Sequence, residues 1–271
     1  MPLLGHVKFM LQFVSLVAIA LQATSPITTK PDEPIGVPPD KLTYHGFYKK
    51  CAYFRGLPII GSEKVSDAAF RRIIASFLKM LDKVPDSQFQ VLVNAGSHYS
   101  IIAATEGQTD LPEYADLRND PKTDWNKRAR GLGGFDTSGG EENVLESAGD
   151  RYHGESIYIH EFAHTLANFV FEKTDPSFRQ SLIDAFSSAR SKGLWDKTYS
   201  ATNRDEYWAE GVQMYFDCAR TAVPPNGVHN QVGNRVQLKN YDPKLFALVD
   251  RAFGGNPWRY EGTYNTTNKR D

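Results

Sequence analysis

The feature that most constrains this chain is the segment His160-Glu161-Phe162-Ala163-His164, which has the form H-E-x-x-H. On a helix, side chains four residues apart lie on one face, so the two imidazoles can bind one metal ion together. The carboxylate beside the first histidine can then act on a water bound to that ion. The surrounding residues are mostly apolar, which predicts a buried helix. The motif therefore predicts a zinc site on that helix, a combination typical of hydrolases and most often of peptidases.

Composition places the chain among soluble globular proteins. It has 271 residues, 41% of them hydrophobic, which is enough for one large core or two small domains. Its 31 basic and 32 acidic residues give a net charge of −1. A nucleic-acid-binding protein would need a basic excess that this chain lacks. We therefore expect no nucleic-acid partner. We also expect a monomer.

The N-terminus has the three-part pattern of a secretory signal peptide. One positive charge lies within residues 1–8, an almost wholly apolar stretch follows, and small residues end it at Ala23. The stretch is too short for a comfortable membrane span. We predict that residues 1–23 are removed, that no stable membrane insertion remains, and that the protein is secreted. The alternative is a buried N-terminal helix.

The rest of the chain divides into a linker and one domain. Residues 24–40 are rich in proline and threonine, which predicts an extended linker or a short pro-segment, and residues 41–271 form the domain. Secretion would permit a disulfide between Cys51 and Cys218, and the alternative is two separate buried thiols. Asn265-Thr266-Thr267 is a glycosylation sequon if the chain enters the secretory pathway.

Hydrophobic periodicity separates a mixed first half from a helical second half. The first half has a predicted helix over residues 66–81 and predicted strands over 89–93 and 99–103. The polar stretch 106–149 predicts loops with one or two strands, and within it residues 131–140 are either a mobile flap or an ordinary loop. Further helices are predicted over 155–172, from Asp175-Pro176 to near Gly193, over 203–220, and from Asp242-Pro243 to Gly254. This order predicts an α+β fold with two lobes.

Two histidines leave a catalytic zinc site incomplete, because such sites usually combine three protein ligands with a water. The extended motif H-E-x-x-H-x-x-G-x-x-H would supply a third histidine, but the chain has Ala167 and Val170 at those positions. The other common third ligand is a glutamate on a following helix. Glu206 and Glu210 are candidates, since residues four apart share one helix face. We assign Glu206 to the metal and expect Glu210 to accept the free N–H of a ligating histidine.

Each of these residues also has a purely structural interpretation. Glu206 follows Asn203 by three positions, which is the spacing of a capping box. Glu210 can be a solvated helix residue, and the two histidines of the motif can be ordinary core or surface residues. His229, in a loop rich in proline, glycine and asparagine, is the remaining alternative ligand.

The motif and the segment Tyr199–Glu210 together resemble a known family. They are similar to the catalytic domain of anthrax lethal factor and to the related bacterial Pro-Pro endopeptidases, which are zinc endopeptidases of the gluzincin type. In those proteins a tyrosine precedes the ligand glutamate by seven positions, as Tyr199 precedes Glu206 here. An aromatic pair and Ala-Glu follow the ligand, as in this chain. The resemblance covers residues 154–216 and does not extend to the segments that bind substrate.

The resemblance implies a zincin-like fold with two lobes. It implies one zinc ion held by His160, His164 and Glu206, with Glu161 as general base and Tyr199 as an active-site hydrogen-bond donor. The substrate would be a peptide or protein, whose cleavage specificity is not implied. We expect that substrate to lie along an edge strand above the zinc helix, near residues 143–145.

Three functions are compatible with these residues. The first is an active, secreted zinc endopeptidase. The second is a zinc-binding protein that uses a peptidase scaffold for recognition or adhesion, and the third is a metal-free structural protein. Glu161 and Tyr199 favour the first over the second, because a binding module needs neither side chain.

Overall fold

The computed structural model describes residue 32 and residues 34–263. The predicted signal peptide at residues 1–23 and the sequon at Asn265 lie outside the described residues, as does most of the predicted linker over 24–40. These assignments stay predictions. Among the described residues, no helix combines the length and the apolar character needed to cross a membrane.

Five strands form one mixed sheet in the described part of the chain. They are β1 (Lys50–Phe54), β2 (Leu57–Gly61), β3 (Tyr99–Ile102), β4 (Gly131–Leu132) and β5 (Thr137–Gly140). Their order across the sheet is β1-β2-β3-β5-β4. The inner pairs β2–β3 and β3–β5 are parallel, and the outer pairs β1–β2 and β4–β5 are antiparallel. This order leaves β4 at one edge of the sheet.

Two helices follow in the first half, where one prediction was right and one was wrong. Helix α1 (Asp67–Met80) is the predicted amphipathic helix, but α2 (Asp86–Ala95) replaces the strand predicted over 89–93. Pro85 precedes α2, and Gly96 ends it with a φ of 90°, a left-handed conformation that costs glycine little. The buried side chains of α2 are Phe89 and Leu92, whose three-residue spacing suits one helix face.

The remaining helices lie mostly in the second half. They are α3 (Trp125–Arg128), α4 (Glu141–Val144), α5 (Ile157–Leu166), α6 (Glu172–Thr174), α7 (Phe178–Ser191), α8 (Arg204–Tyr215), α9 (Arg235–Tyr241) and α10 (Pro243–Ala252). A π-helical stretch over Ala167–Phe171 connects α5 to α6. No strand follows β5 among the described residues. The predicted α+β arrangement, mixed first and helical afterwards, is confirmed.

One hydrophobic core joins the sheet to the helices of the second half. Phe77 of α1 stacks on Phe162 of α5 with ring centroids 4.1 Å apart. Trp208 of α8 packs edge-on against Phe178 of α7, and its indole N–H donates to the Ala163 carbonyl over 2.9 Å. Aromatic pairs of this kind contribute energy beyond their buried area and fix relative orientation. Helix α5 thus packs against α1 and α8, and it also packs against β5.

One or two strands are predicted within residues 106–149, and the structure confirms them in the glycine-rich segment 131–140, which is therefore not an ordinary loop. The alternative of a mobile flap stays a prediction. The segment contains β4 and β5, and all four residues of β5 are buried. A side chain at Gly139 would overlap the Tyr99 hydroxyl, so glycine is needed where the strands meet the core. The predicted substrate edge near residues 143–145 is also wrong, because Asn143 and Val144 lie buried in α4.

Backbone pairing begins before residue 41, the predicted start of the domain. Gly36 and Cys51 exchange two backbone hydrogen bonds of 2.8 Å, which places Gly36 beside β1. Cys51 and Cys218 are both buried and both free. Of the two alternatives for the cysteines, the structure has the separate buried thiols.

Candidate metal centre

Helix α5 presents both histidines of the motif, and its start is fixed by a distant residue. The Asn143 side-chain oxygen accepts hydrogen bonds from the backbone N–H groups of Ile157 (2.8 Å) and Tyr158 (3.3 Å). Its amide nitrogen donates to the Glu155 carbonyl over 2.8 Å. These bonds satisfy N–H groups that the first turn of a helix leaves without partners. Asn143 therefore fixes where α5 begins, and so it fixes the position of the two imidazoles along the axis of that helix.

Helix α8 presents Glu206 from its first turn. The Asn203 side chain caps this helix, accepting from the backbone N–H groups of Asp205 (2.8 Å) and Glu206 (2.9 Å). The capping interpretation of Asn203 is thus correct, but the Glu206 carboxylate does not turn back to the cap. It reaches across to α5 instead, where it lies 3.0 Å from His160 Nε2.

Three donor atoms converge between the two helices. His160 Nε2 lies 3.2 Å from His164 Nε2, and Glu206 Oε2 lies 3.0 Å from the first nitrogen and 3.4 Å from the second. Ligands about 2.0–2.2 Å from a tetrahedral zinc ion are roughly 3.3–3.6 Å apart. The three measured separations lie within that range or slightly below it, and two imidazoles with one carboxylate are a donor set that suits a zinc ion. Among the described residues it is the one such group of histidine, cysteine and carboxylate side chains.

The electrostatics of the site favour a positive charge. Burial alone would lower the pKa of His160, but its hydrogen bond to Glu206 and the carboxylates of Glu161 and Glu210 outweigh burial and raise that pKa to about 10. Burial opposes ionisation of Glu206, yet hydrogen bonds to both histidines hold its pKa well below the usual range. A site that stabilises protonated imidazole in this way would also stabilise a divalent cation.

Tyr199 contacts the second carboxylate oxygen of Glu206, and its ring centroid lies 6.4 Å from that of His160. Its hydroxyl donates to Glu206 Oε1 over 3.1 Å, and its backbone N–H donates to the Val228 carbonyl over 2.8 Å. Burial, and then the negative charge of Glu206, raise the pKa of Tyr199, so it remains a neutral donor. The Arg128 guanidinium lies near the same hydroxyl, and its positive charge opposes this increase in the pKa of Tyr199. Sequence reasoning missed Arg128, which no motif connects to Tyr199.

Glu161 faces the cleft from the same helix as the histidines. It follows His160 directly, so its side chain is rotated by about 100° around the helix axis. That rotation turns it away from the donor cluster and towards β4, where a Cβ at Gly131 would lie 3.0 Å from Glu161 Cγ. Glu161 and both histidines line one cleft. The structure thus places in the same cleft a carboxylate that is not one of the three converging donors.

Gln213, and not the predicted Glu210, is the hydrogen-bond partner of His160 Nδ1. Glu210 Oε1 lies 3.8 Å from His160 Nδ1, whereas Gln213 Oε1 lies 3.0 Å from that nitrogen. Burial, and then the charge of Glu155, raise the pKa of Glu210 to about 7. Gln213 follows Glu206 by seven residues, two helical turns along the same face, and that spacing is the signal that would have found it.

His229, the alternative ligand, is not part of the cluster. Its Nε2 lies 3.6 Å from Glu155 Oε1, and that partner raises the pKa of His229 against the lowering effect of burial. The ion pair connects the loop that contains Val228 to the residues preceding α5. Through the Val228 carbonyl, the same loop holds the backbone of Tyr199.

An open cleft of about 650 Å³ runs over these groups. Besides the residues already described, its lining includes apolar and aromatic side chains, namely Trp125, Leu132, Tyr152, Ile157 and Val228. The edge strand β4 forms one wall. A side chain at Gly133 would overlap the Glu161 carbonyl and lie 2.7 Å from His164 Cβ. Glycine there lets the wall approach α5 more closely than any other residue would.

Replacing Gly133 by alanine is expected to lower the free energy of unfolding by about 1–3 kcal/mol, the usual range for overpacking. The added methyl group meets the backbone of α5, which cannot rotate away. The midpoint of urea unfolding measures the change. Gly134→Ala is the matched control, because its Cβ would meet only the Asp136 carbonyl at 3.4 Å, an ordinary contact. Equal midpoints for both variants would contradict the close approach of β4.

The chain matches one family of known proteins and is similar to a solved structure. The family model described as anthrax toxin lethal factor, N- and C-terminal domain, matches residues 57–251. Among solved structures, the chain is similar to the Pro-Pro endopeptidase from Paenibacillus alvei, with 18% sequence identity and a TM-score of 0.47. That match covers 71% of this chain and 96% of the other. A search of curated proteins finds no match.

Proposed function

Because the chain belongs to the anthrax toxin lethal factor family, whose model matches residues 57–251, we propose that it is a zinc-dependent endopeptidase. The observation that carries the proposal is the convergence of the His160, His164 and Glu206 donor atoms, with Glu161 in the same cleft. One zinc ion per chain would be held by those three residues. When bound, zinc would supply Lewis acidity that polarises the scissile carbonyl and makes water more acidic.

Glu161 is the general base in this proposal. It is not needed as a ligand, so its carboxylate is free to take a proton from the attacking water and later deliver that proton to the leaving amine. Its position at the cleft wall, next to β4, places it beside a substrate that lies along that strand. Proton transfer by a positioned carboxylate typically contributes ~10²–10⁴-fold to the rate.

Tyr199 stabilises the oxyanion that forms on the substrate. In the free site its hydroxyl proton is directed at Glu206 Oε1. The same proton can turn to the carbonyl oxygen when that oxygen gains negative charge, while the Val228 carbonyl keeps the backbone of Tyr199 in place. A neutral phenol suits this role because it donates a hydrogen bond and brings no charge of its own.

The substrate backbone adds to the edge of the sheet as a further strand. Strand β4 is the edge that borders the cleft, and an edge strand presents unpaired backbone groups. Glycines at 131 and 133 remove side chains from the side of β4 that contacts α5. A bound peptide would therefore lie directly above Glu161 and the donor cluster.

Replacing Tyr199 by phenylalanine is expected to lower kcat by about 10²–10³-fold, the usual loss for one oxyanion donor. Zinc content should not change, since the hydroxyl contacts the ligand Glu206 rather than forming part of the donor set. Steady-state kinetics on a cleaved peptide and metal analysis measure the two effects. Tyr207→Phe is a matched control, because its hydroxyl bonds Asp242 in the core. If Tyr199→Phe keeps full kcat, Tyr199 is not the oxyanion donor.

A metal assay followed by digestion of a peptide library tests the proposed function. Wild-type protein should bind about one zinc per chain and cleave a subset of the library, and a chelator should abolish the cleavage. Zinc binding without any cleavage would favour the recognition protein on a peptidase scaffold. Absence of stoichiometric zinc would overturn the metal site itself.

We also propose that the protein is a secreted monomer that acts on peptides or proteins. The charged start, short apolar stretch and small-residue end of residues 1–23 support secretion. Expression of the full chain in a secreting host tests the localisation, since N-terminal sequencing of secreted protein should begin after residue 23. Protein retained in cells with Met1 intact would contradict it.

A further inference from the structure

We propose that Gln213 is a positioning residue that fixes the tautomer and the ring orientation of His160 and thereby strengthens metal binding. The inference rests on the proposed zinc site and deepens it. It concerns the outer nitrogen of His160, for which sequence reasoning selected Glu210. Replacing a residue that holds the outer nitrogen of a ligating histidine typically weakens metal binding by about 10–100-fold.

The orientation of the Gln213 amide follows from its two partners. Its Nε2 lies 3.0 Å from the Ser156 carbonyl oxygen, which can only accept a hydrogen bond. The amide nitrogen must therefore face Ser156, and the amide oxygen must face His160 Nδ1 at 3.0 Å. An amide oxygen also only accepts, so His160 Nδ1 carries the proton.

The consequence for His160 is a defined direction for its free electron pair. With the proton on Nδ1, the lone pair of a neutral imidazole is on Nε2. That nitrogen faces His164 Nε2 at 3.2 Å and Glu206 Oε2 at 3.0 Å. Gln213 therefore selects the tautomer that can bind a cation at the point where the three donors meet.

Gln213 is held rigidly, so it can orient the ring before a metal arrives. It is fully buried near the end of α8. The backbone carbonyl of Gln213 accepts from the Cys218 N–H over 2.9 Å, and the backbone carbonyl of Cys218 accepts from the Ser156 N–H over 2.9 Å. These bonds connect the end of α8 to the residue before α5. The side-chain amide cannot turn away from His160 without breaking its own hydrogen bond to the Ser156 carbonyl.

Glu210 is the competing partner and is less well placed. At 3.8 Å its oxygen is too far from Nδ1 for a hydrogen bond, although it contributes negative charge. The structure therefore separates two effects on His160. Gln213 supplies direction through a neutral acceptor, and Glu210 supplies charge from a greater distance.

The test compares zinc dissociation constants, measured by chelator competition, for Gln213→Leu, Gln213→Glu and the control Gln108→Leu. Gln108 is also fully buried and also bonded through its amide, but to Ser138 at 3.0 Å beneath the sheet. Gln213→Leu should bind zinc about 10–100-fold more weakly than wild type. Gln213→Glu keeps an acceptor oxygen and should recover most of that loss. Gln108→Leu should lose stability but keep the wild-type zinc affinity.

Several outcomes would overturn the inference while leaving the zinc site intact. One is a Gln213→Leu protein that binds zinc as tightly as Gln108→Leu does. Another is a Glu210→Gln protein that loses more affinity than Gln213→Leu. If Gln213→Leu does not fold, Gln213→Met takes its place in the same comparison, because it keeps the length of the side chain and removes the acceptor oxygen. Failure of wild-type protein to bind zinc would instead overturn the proposed function.

Discussion

Replacing Glu161 by glutamine is expected to lower kcat by ~10²–10⁴-fold while the protein still binds about one zinc per chain. The amide keeps the shape of the side chain but cannot take a proton from water. Glu161 is not one of the three converging donor atoms, so metal binding should survive. Rates of peptide cleavage, together with metal analysis of the same samples, separate the two effects.

Glu172→Gln is the matched control for this change. Glu172 begins α6 and pairs with Arg179 at 3.3 Å on the surface, away from the cleft. Its loss should leave both kcat and zinc content unchanged, because exposed ion pairs contribute little. A Glu161→Gln protein that cleaves as fast as this control would show that another group moves the proton.

Replacing Glu206 by glutamine is expected to remove most bound zinc. A neutral amide oxygen is a much poorer ligand than a carboxylate, and it leaves two histidines to hold the ion. The dissociation constant should rise by more than the ~10–100-fold that changes outside the ligand set typically cause. Equilibrium dialysis against a zinc buffer measures it, and activity should fall in proportion to bound metal.

The neighbouring variant Asp205→Asn serves as the control for zinc binding. Asp205 also lies in the first turn of α8 but pairs with Arg204 at 3.3 Å rather than with the histidines. It should keep the zinc content of wild type. If Glu206→Gln retains zinc as well as this control does, a different third ligand completes the site.

Helix boundaries in the fold could be predicted wherever a local signal marked them. Asp242 and Pro243 open α10 as expected, because the cap accepts from the Leu245 N–H and proline tolerates the first helical position. The strand predicted over 89–93 failed because a short apolar run is compatible with either structure. The signals that distinguish the two are Pro85, directly before the helix, and Gly96, which ends it in a left-handed conformation.

The sequence also gave no means of recognising the cleft wall. Residues 131–140 contain five glycines, a composition typical of mobile loops, yet two of these glycines face buried aromatic or helical groups. A side chain at residue 133 would overlap the backbone of α5, and a side chain at residue 139 would overlap the Tyr99 hydroxyl. Such glycines serve close approach rather than flexibility, and the difference depends on what lies opposite.

The sequence by itself determined the groups whose spacing lies within one element. The two imidazoles four residues apart, the cap at Asn203 and the position of Glu206 three residues later all follow from the geometry of a single helix. Only the tertiary structure shows that Gln213 bonds the outer nitrogen of His160. It alone also shows that β4 lies beside Glu161 and that the Arg128 side chain lies near the Tyr199 hydroxyl. These contacts depend on how α5, α8 and β4 pack, and packing is set by the whole core rather than by any local spacing.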